Sequence, residues 1–225
     1  MNFEVKYRPT VLTEYVFAND DNKAIINRYV TEPHTRPLLL YGTPGTGKTL
    51  LARLLPPAMT HDFDKAGDLM FINASAQTGI DTVRNQIVNF ASTVKSNSLG
   101  IGWVVLDEAD RLSSEAQDAL KGVMDHLSAV TLFIMTTNDV RKIKDPIKDR
   151  CRCLSISTPY AHQMAIPAKR ILLSEGIVVP DDALEEYLRS SPGGKWFGWK
   201  PGVSYREMYR RLEDLVDSFR ANQAS

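Results

Sequence analysis

Apolar positions in the first two thirds of the chain gather into five short unbroken runs, at residues 37–41, 69–72, 103–106, 131–135 and 153–156. Each is strand-length, none alternates, and each is followed by polar or Gly-containing sequence. Unbroken runs suit strands covered on both faces, as in a parallel sheet. The stretches between them read as helices, at 22–29, 49–55, 81–94 and from Ser113 or Ser114 to Leu127. Pro56-Pro57 is expected to stop the second. Asp81 offers an N-cap to the third, and Ser113-x-x-Ala116 is half a capping box for the fourth. Strand and helix in alternation predict a wound α/β domain over residues 1–158.

After Thr158-Pro159 the strand pattern stops. Residues 160–174, 181–189 and 204–219 read as three helices, separated by Gly176, Pro180, Pro192, Gly193 and Gly194. This predicts a helical domain over 159–225, too small to be secure alone and expected to pack on the first.

Composition narrows the class. The chain has 225 residues, 43% hydrophobic and 24% charged, values of a folded globular protein rather than a disordered or collagen-like one. Its 27 Lys and Arg balance 27 Asp and Glu. That excludes a strongly basic protein's blanket affinity for nucleic acid but leaves room for a local basic face. Cys151 and Cys153 sit too close to form a disulfide framework, which suits a reducing compartment. No apolar run approaches the length of a membrane span, and the N-terminus lacks an apolar signal core. A soluble protein of the cytoplasm, or otherwise intracellular, is expected.

Gly42-Thr43-Pro44-Gly45-Thr46-Gly47-Lys48-Thr49 matches the phosphate-loop pattern, with an apolar strand before it and a helix after. Its glycines let backbone N–H groups approach phosphate closely, and the helix start adds partial positive charge. Lys48 is placed to reach β/γ oxygens and Thr49 to ligate Mg²⁺. The run Val104-Val105-Leu106 ends in Asp107-Glu108-Ala109-Asp110. A carboxylate at the end of a parallel strand lies beside such a loop. Asp107 is the candidate to hold Mg²⁺ and Glu108 the candidate to orient the attacking water. Adjacent strand residues face opposite ways, so these two roles need a kink or the strand end between them. Thr136-Thr137-Asn138 closes another run, expected between the loop and the acidic strand. Asn138 there would contact the γ-phosphate or the water.

Together these residues resemble the AAA+ ATPases, and more narrowly the clamp-loader subunits of the replication factor C and phage kind, over nearly the whole chain. Lys6-Tyr7-Arg8-Pro9 with Leu12 and Glu14 resembles the signature that lines the adenine pocket. Asn73-Ala74-Ser75 followed by Gly79-Ile80-Asp81-Thr82-Val83-Arg84, the acidic box at Asp107–Asp110, Ala116-Gln117-Asp118-Ala119-Leu120 and Asp149-Arg150-Cys151 resemble further family segments. Glu175-Gly176-Ile177 and Ala183-Leu184 resemble the lid. The resemblance implies a P-loop fold with a small all-α lid, ATP and Mg²⁺ as cofactors, and an oligomer with ATP between subunits. Arg150 would be the finger that reaches a neighbour's γ-phosphate, and Arg206 the lid arginine acting in cis. Gln117 would couple DNA to the acidic box. Ser75, Thr78, Arg84 and Lys121 would grip DNA phosphates without reading sequence. The helix holding Asn89-Phe90-Ala91-Ser92 would meet the clamp, although Phe90 suits core packing better.

Some positions depart from the family. Asp149 stands where it has Ser, and Ser204 where it has an acid before Arg206. Lys195-Trp196-Phe197-Gly198-Trp199-Lys200 is an aromatic, basic segment suited either to lid packing or to a base or protein partner. The sequence stops near the end of the lid, so the family's collar is absent or cut away. The expected function is ATP hydrolysis that loads or remodels a ring protein on primed DNA in replication, in a cytoplasm of bacterial or phage-infected type. The alternative is a stand-alone DNA-remodelling or helicase-loading ATPase with no clamp. A non-catalytic nucleotide-dependent module is disfavoured by the full catalytic set.

Overall fold

All five apolar runs form strands: β1 Leu38–Tyr41, β2 Leu69–Asn73, β3 Gly102–Asp107, β4 Thr131–Thr137 and β5 Arg152–Ser155. The helices are α1 Phe3–Lys6, α2 Asp20–Thr31, α3 Lys48–Met59, α4 Lys65–Asp68, α5 Ile80–Ser92, α6 Ser114–His126, α7 Asp145–Lys148, α8 Ala161–Ser174, α9 Asp181–Arg189 and α10 Tyr205–Gln223. The computed structural model describes residues 2–75, 80–190 and 202–223. They fall into two units, one of Asp21–Pro44 and Lys48–Ile156, the other of Met1–Asp20, Gly45–Gly47 and Ser157–Ser225. The first twenty residues thus group with the helical segment, not with the sheet.

In the sheet unit the strand order is β2-β3-β4-β1-β5 and every pairing is parallel. β3 and β4 are buried along their whole length, as unbroken apolar runs require, whereas the edge strands β2 and β5 are only partly buried. Alternate residues divide between two faces. Leu39, Val104, Leu106, Phe133 and Met135 form one core with Ile87 of α5 and Leu120, Val123 and Met124 of α6. Trp103 points the other way, and its Nε1 donates to the sulfur of Met59 in α3 at 3.3 Å.

Two sequence expectations about helix ends are corrected. Pro56-Pro57 does not stop α3, which runs on to Met59. Proline's fixed φ is already helical, and the loss is confined to hydrogen bonds in the last turn. Burial of Leu54, Leu55, Pro56 and Met59 outweighs it. Asp81 does not precede α5 but lies in its first turn, because the helical backbone begins at Ile80. Ser113 does cap α6, accepting from Ala116 N–H at 3.2 Å.

The helical unit is organised by two polar hubs. The Glu175 carboxylate, 5% exposed, accepts from Lys6 Nζ at 2.6 Å, from Arg220 Nη2 at 2.6 Å and from the Tyr7 hydroxyl. It thereby ties α1 and α10 to the end of α8. Buried Arg211 closes the C-terminus of α9, donating from Nη1 to the carbonyls of Tyr187 at 2.9 Å, Leu188 at 2.8 Å and Ser190, while Nη2 pairs with Glu207. A cation at a helix C-terminus meets both the orphan carbonyls and the negative end of the dipole. Among the described residues no helix is long and apolar enough to cross a membrane.

Candidate nucleotide site

β1 runs directly into the glycine loop, which the start of α3 closes. Gly42 donates its N–H to Thr137 O at 3.3 Å, and a Cβ on Gly42 would lie 2.2 Å from the Ile156 carbonyl oxygen. No residue but glycine fits between the ends of β4 and β5. Gly47 has φ +89°, a left-handed backbone that favours glycine. Lys48 opens α3 and is 6% exposed. Its Nζ donates to the carbonyls of Gly42 at 2.8 Å and Thr43 at 2.9 Å, so the ammonium lies against the loop backbone. Burial pulls its pKa below the usual lysine value, and the charges of Asp107 and Asp110 oppose that shift. Thr43 and Pro44 stand exposed at the loop tip.

Within the helical unit, Thr46 is fully buried and its carbonyl accepts from the Tyr15 hydroxyl at 3.3 Å. Gly45 accepts from Tyr205 N–H at 3.3 Å. Tyr7 ends α1, its ring edge-on to Phe3 at 5.1 Å, with Lys6 Nζ 4.8 Å above it. Arg8 is exposed and lies 3.8 Å from Glu4, and Pro9 is half-buried. Arg206 is exposed on the first turn of α10, with no ion-pair partner among the described residues.

At the end of β3 strand parity gathers the chemistry. Trp103, Val105 and Asp107 share the α3 face of the sheet, as do Leu132, Ile134 and Thr136 of neighbouring β4. Asp107 Oδ1 therefore accepts from Thr49 Oγ1, in the first turn of α3, at 2.7 Å, and from Thr136 Oγ1 at 2.5 Å. The Thr136 hydroxyl in turn accepts from Glu108 N–H at 3.1 Å. Glu108 has φ 55° and ψ 44°, the one positive-φ residue other than glycine among those described. A left-handed residue with a side chain costs about 1–2 kcal/mol. β3 ends at Asp107 and the backbone bends at Glu108, so the strand end and the kink that the sequence offered as alternatives fall together.

On the opposite face Thr137 Oγ1 donates to Asp110 Oδ1 at 2.9 Å, and Asn138 N–H donates to the same oxygen at 3.3 Å. The side chain of Asn138 is exposed and makes no hydrogen bond among the described residues. As expected, β4 lies between the loop strand and the acidic strand. Sequence reasoning singled out Asn138 and missed Thr136, whose signal is parity: two residues after Ile134, it shares a face with Asp107.

Thr49 and Asp107 together offer a hydroxyl and a carboxylate, both hard oxygen donors, beside a phosphate loop. No group of three or more His, Cys, Asp or Glu among the described residues could enclose a metal. That donor set fits Mg²⁺, which binds through one or two protein oxygens with substrate phosphates supplying the rest.

Arg150 lies elsewhere. It precedes β5, whose Arg152 pairs with Leu38 at the start of β1, whereas the loop follows Tyr41 at the end of that strand. The length of β1, roughly 13 Å, separates the two levels. Its guanidinium donates to Asp125 from Nε at 2.6 Å and Nη2 at 2.8 Å, and to Pro146 O from Nη1 at 2.7 Å.

The other predicted positions that the structure describes belong to the sheet unit. Ser75 is exposed, donating from N and Oγ to Asn73 Oδ1 at 2.9 and 2.7 Å. Arg84 on α5 and Lys121 on α6 are exposed, and Arg84 borders a shallow groove with Leu112, Ala116 and Val123. Thr78 and the 195–200 segment lie outside the described residues. Gln117 is buried, donating to Lys142 O at 3.0 Å and accepting from Lys144 N–H at 2.9 Å. Phe90 packs against the core beneath Lys95, as its packing reading expected.

A parallel sheet carrying a glycine loop, a buried lysine at a helix start and an acid cluster at the next-but-one strand defines a P-loop nucleotide-binding protein. Residues 38–157 match the AAA family, the ATPase family associated with various cellular activities, and the chain belongs to it. It is 36% identical over 188 residues to replication factor C small subunit 1 of Pyrobaculum islandicum, covering 84% of this chain and 56% of that protein. Mouse replication factor C subunit 5 is 31% identical over 189 residues, covering 84% of this chain and 55% of that protein. The chain thus spans about half the length of these curated relatives. Among solved structures, a variant of Thermotoga maritima RuvB aligns with a TM-score of 0.72 over 96% of this chain and 67% of its own, at 15% identity. That likeness concerns the fold alone.

Proposed function

We propose that this chain is a clamp-loader-type ATPase of DNA replication that hydrolyses ATP between subunits to load or remodel a ring protein on primed DNA. The observation that carries the reading is the separation of Arg150 from its own loop. Arg150 is level with the start of β1 and the loop follows its end, so its guanidinium is available to a neighbouring copy or a related subunit.

In this reading Tyr7, Arg8 and Pro9 line the base. The backbone from Gly42 through Gly47 surrounds the phosphates and Lys48 adds its charge there. Thr49 and Asp107 would hold Mg²⁺, which when bound would neutralise charge on the phosphate oxygens. Glu108 orients and polarises the water, Asn138 contacts the γ-phosphate or that water, and Arg206 acts from the same chain. Arg150 of the adjoining subunit completes the charge stabilisation. Ser75, Thr78, Arg84 and Lys121 hold DNA phosphates without sequence preference. The similarity to replication factor C subunits supports the replication setting.

Turnover per subunit is expected to rise with protein concentration and with primed DNA, because the site needs a neighbour. A specific rate that stays flat across a dilution series, with and without DNA, sinks the proposal. Adding a sliding clamp should stimulate further, and indifference to clamps favours a loader-like ATPase that works without one.

Thr136→Val keeps the shape of the side chain and removes the hydroxyl that Asp107 and Glu108 share. Turnover should fall about 10- to 100-fold, the size of a misplacement by an ångström or so, with nucleotide affinity nearly unchanged. Steady-state kinetics beside a nucleotide titration checks this, and equal losses in both would reduce Thr136 to a packing residue.

A further inference from the structure

The contacts of Arg150 assign a task to a residue on a different helix. Its backbone is anchored on both sides, by Ile147, 1% exposed, and Cys151, 6% exposed, with its N–H bonded to Ile147 O at 3.1 Å. The same segment is fastened to the start of α6 through Gln117 and through Asp118, whose Oδ2 lies 2.6 Å from Lys144 Nζ. What remains free at such an anchored site is the long arginine side chain itself, with many rotamers open to it. Asp125, near the far end of α6, takes the Nε and Nη2 edge of the guanidinium, and Pro146 O takes one N–H of Nη1. One N–H is left on each terminal nitrogen, on a side chain that is 31% exposed. Two such donors on a planar group match the oxygens of a phosphate.

We infer that Asp125 is the positioning residue that presents Arg150 to the neighbouring subunit's γ-phosphate. The inference rests on the reading of Arg150 given above and extends it to a residue that never touches nucleotide. Asp125 fixes the direction of the guanidinium before subunits meet, so that docking need not select among rotamers. Its own carboxyl is held below the usual aspartate range by the hydrogen bonds from Arg150, which keeps it charged and paired at neutral pH. The pair is partly exposed, and exposed pairs add little to stability, so removing the carboxylate leaves the fold intact.

A mixing experiment with the full-length chain isolates this role. A Lys48→Ala chain cannot turn over nucleotide but still offers Arg150, whereas an Arg150→Ala chain keeps its own loop and lacks the finger. Mixed with ATP, Mg²⁺ and primed DNA, the two should recover ATPase activity that neither has alone. Asp125→Ala added to the Lys48→Ala chain should then lower the recovered rate about tenfold or more. The same substitution added to the Arg150→Ala chain should change it less than about twofold, because no guanidinium remains there to present. Equal effects from both placements, no effect from either, or a rise in rate would overturn the role of Asp125 while leaving Arg150 in trans. A parent mixture with no recovered activity would overturn the in-trans reading and this inference with it.

Discussion

Arg150→Ala should lower turnover by about 10³- to 10⁵-fold while ATP affinity stays within a few-fold of the parent. That is the range an arginine supplied from a neighbouring chain contributes to phosphoryl transfer. The expectation of unaltered affinity follows from position. Arg150 is level with the amino end of β1, and the phosphate loop leaves from the other end. Most binding contacts belong to the chain that holds the nucleotide, and an arginine arriving from outside acts where charge develops in the transition state. Single-turnover hydrolysis and a fluorescent-nucleotide titration separate the two quantities. A loss of affinity that parallels the loss of rate would mean that Arg150 serves its own site. Lysine in its place should rescue little, since the ammonium cannot bond Asp125 side-on and still offer two parallel donors.

Glu108→Gln should abolish measurable turnover, by about 10²- to 10⁴-fold or more, and leave nucleotide binding intact. The substitution changes one oxygen to an amide nitrogen, so neither the bend at φ 55° nor the backbone hydrogen bond to Thr136 is disturbed. Glutamine orients water poorly and accepts no proton. Because binding survives and hydrolysis does not, the variant should collect in its assembled, ATP-bound form. Light scattering with ATP should report a larger particle than with ADP. A monomer that binds ATP and never grows would break the link between nucleotide and assembly.

The parts of this architecture that depend on local pattern were legible in the sequence. Runs such as 103–106 and 131–135 are too short for helices and too continuous for half-exposed strands, so a parallel sheet was readable before any coordinates. The loop from Gly42 to Thr49 was readable because its chemistry tolerates few substitutions at fixed spacing. What escaped depends on geometry between distant residues. Asp125 and Arg150 are separated by a helix end, a whole strand and two short helical turns, and no spacing rule connects them. Proline's reputation as a helix breaker misled at Pro56-Pro57, where burial of α3 against Trp103 decides the outcome. Thr136 sits between the two cases. Its face follows from counting along β4, but its use follows only once β3 and β4 are known to be neighbours.

The alternation along β4 also ties quality control to chemistry. Thr136 serves Asp107 on one side of the sheet and Thr137 serves Asp110 on the other. A slip of β4 by a single residue would take Thr136 from Asp107 and Thr137 from Asp110 and, in the same stroke, turn Phe133 and Met135 away from α5 and α6. Both the acids' partners and the core contacts of β4 are thus set by one choice of register. A substitution that shifts the strand is therefore expected to disturb the acidic end of the sheet and its interior together.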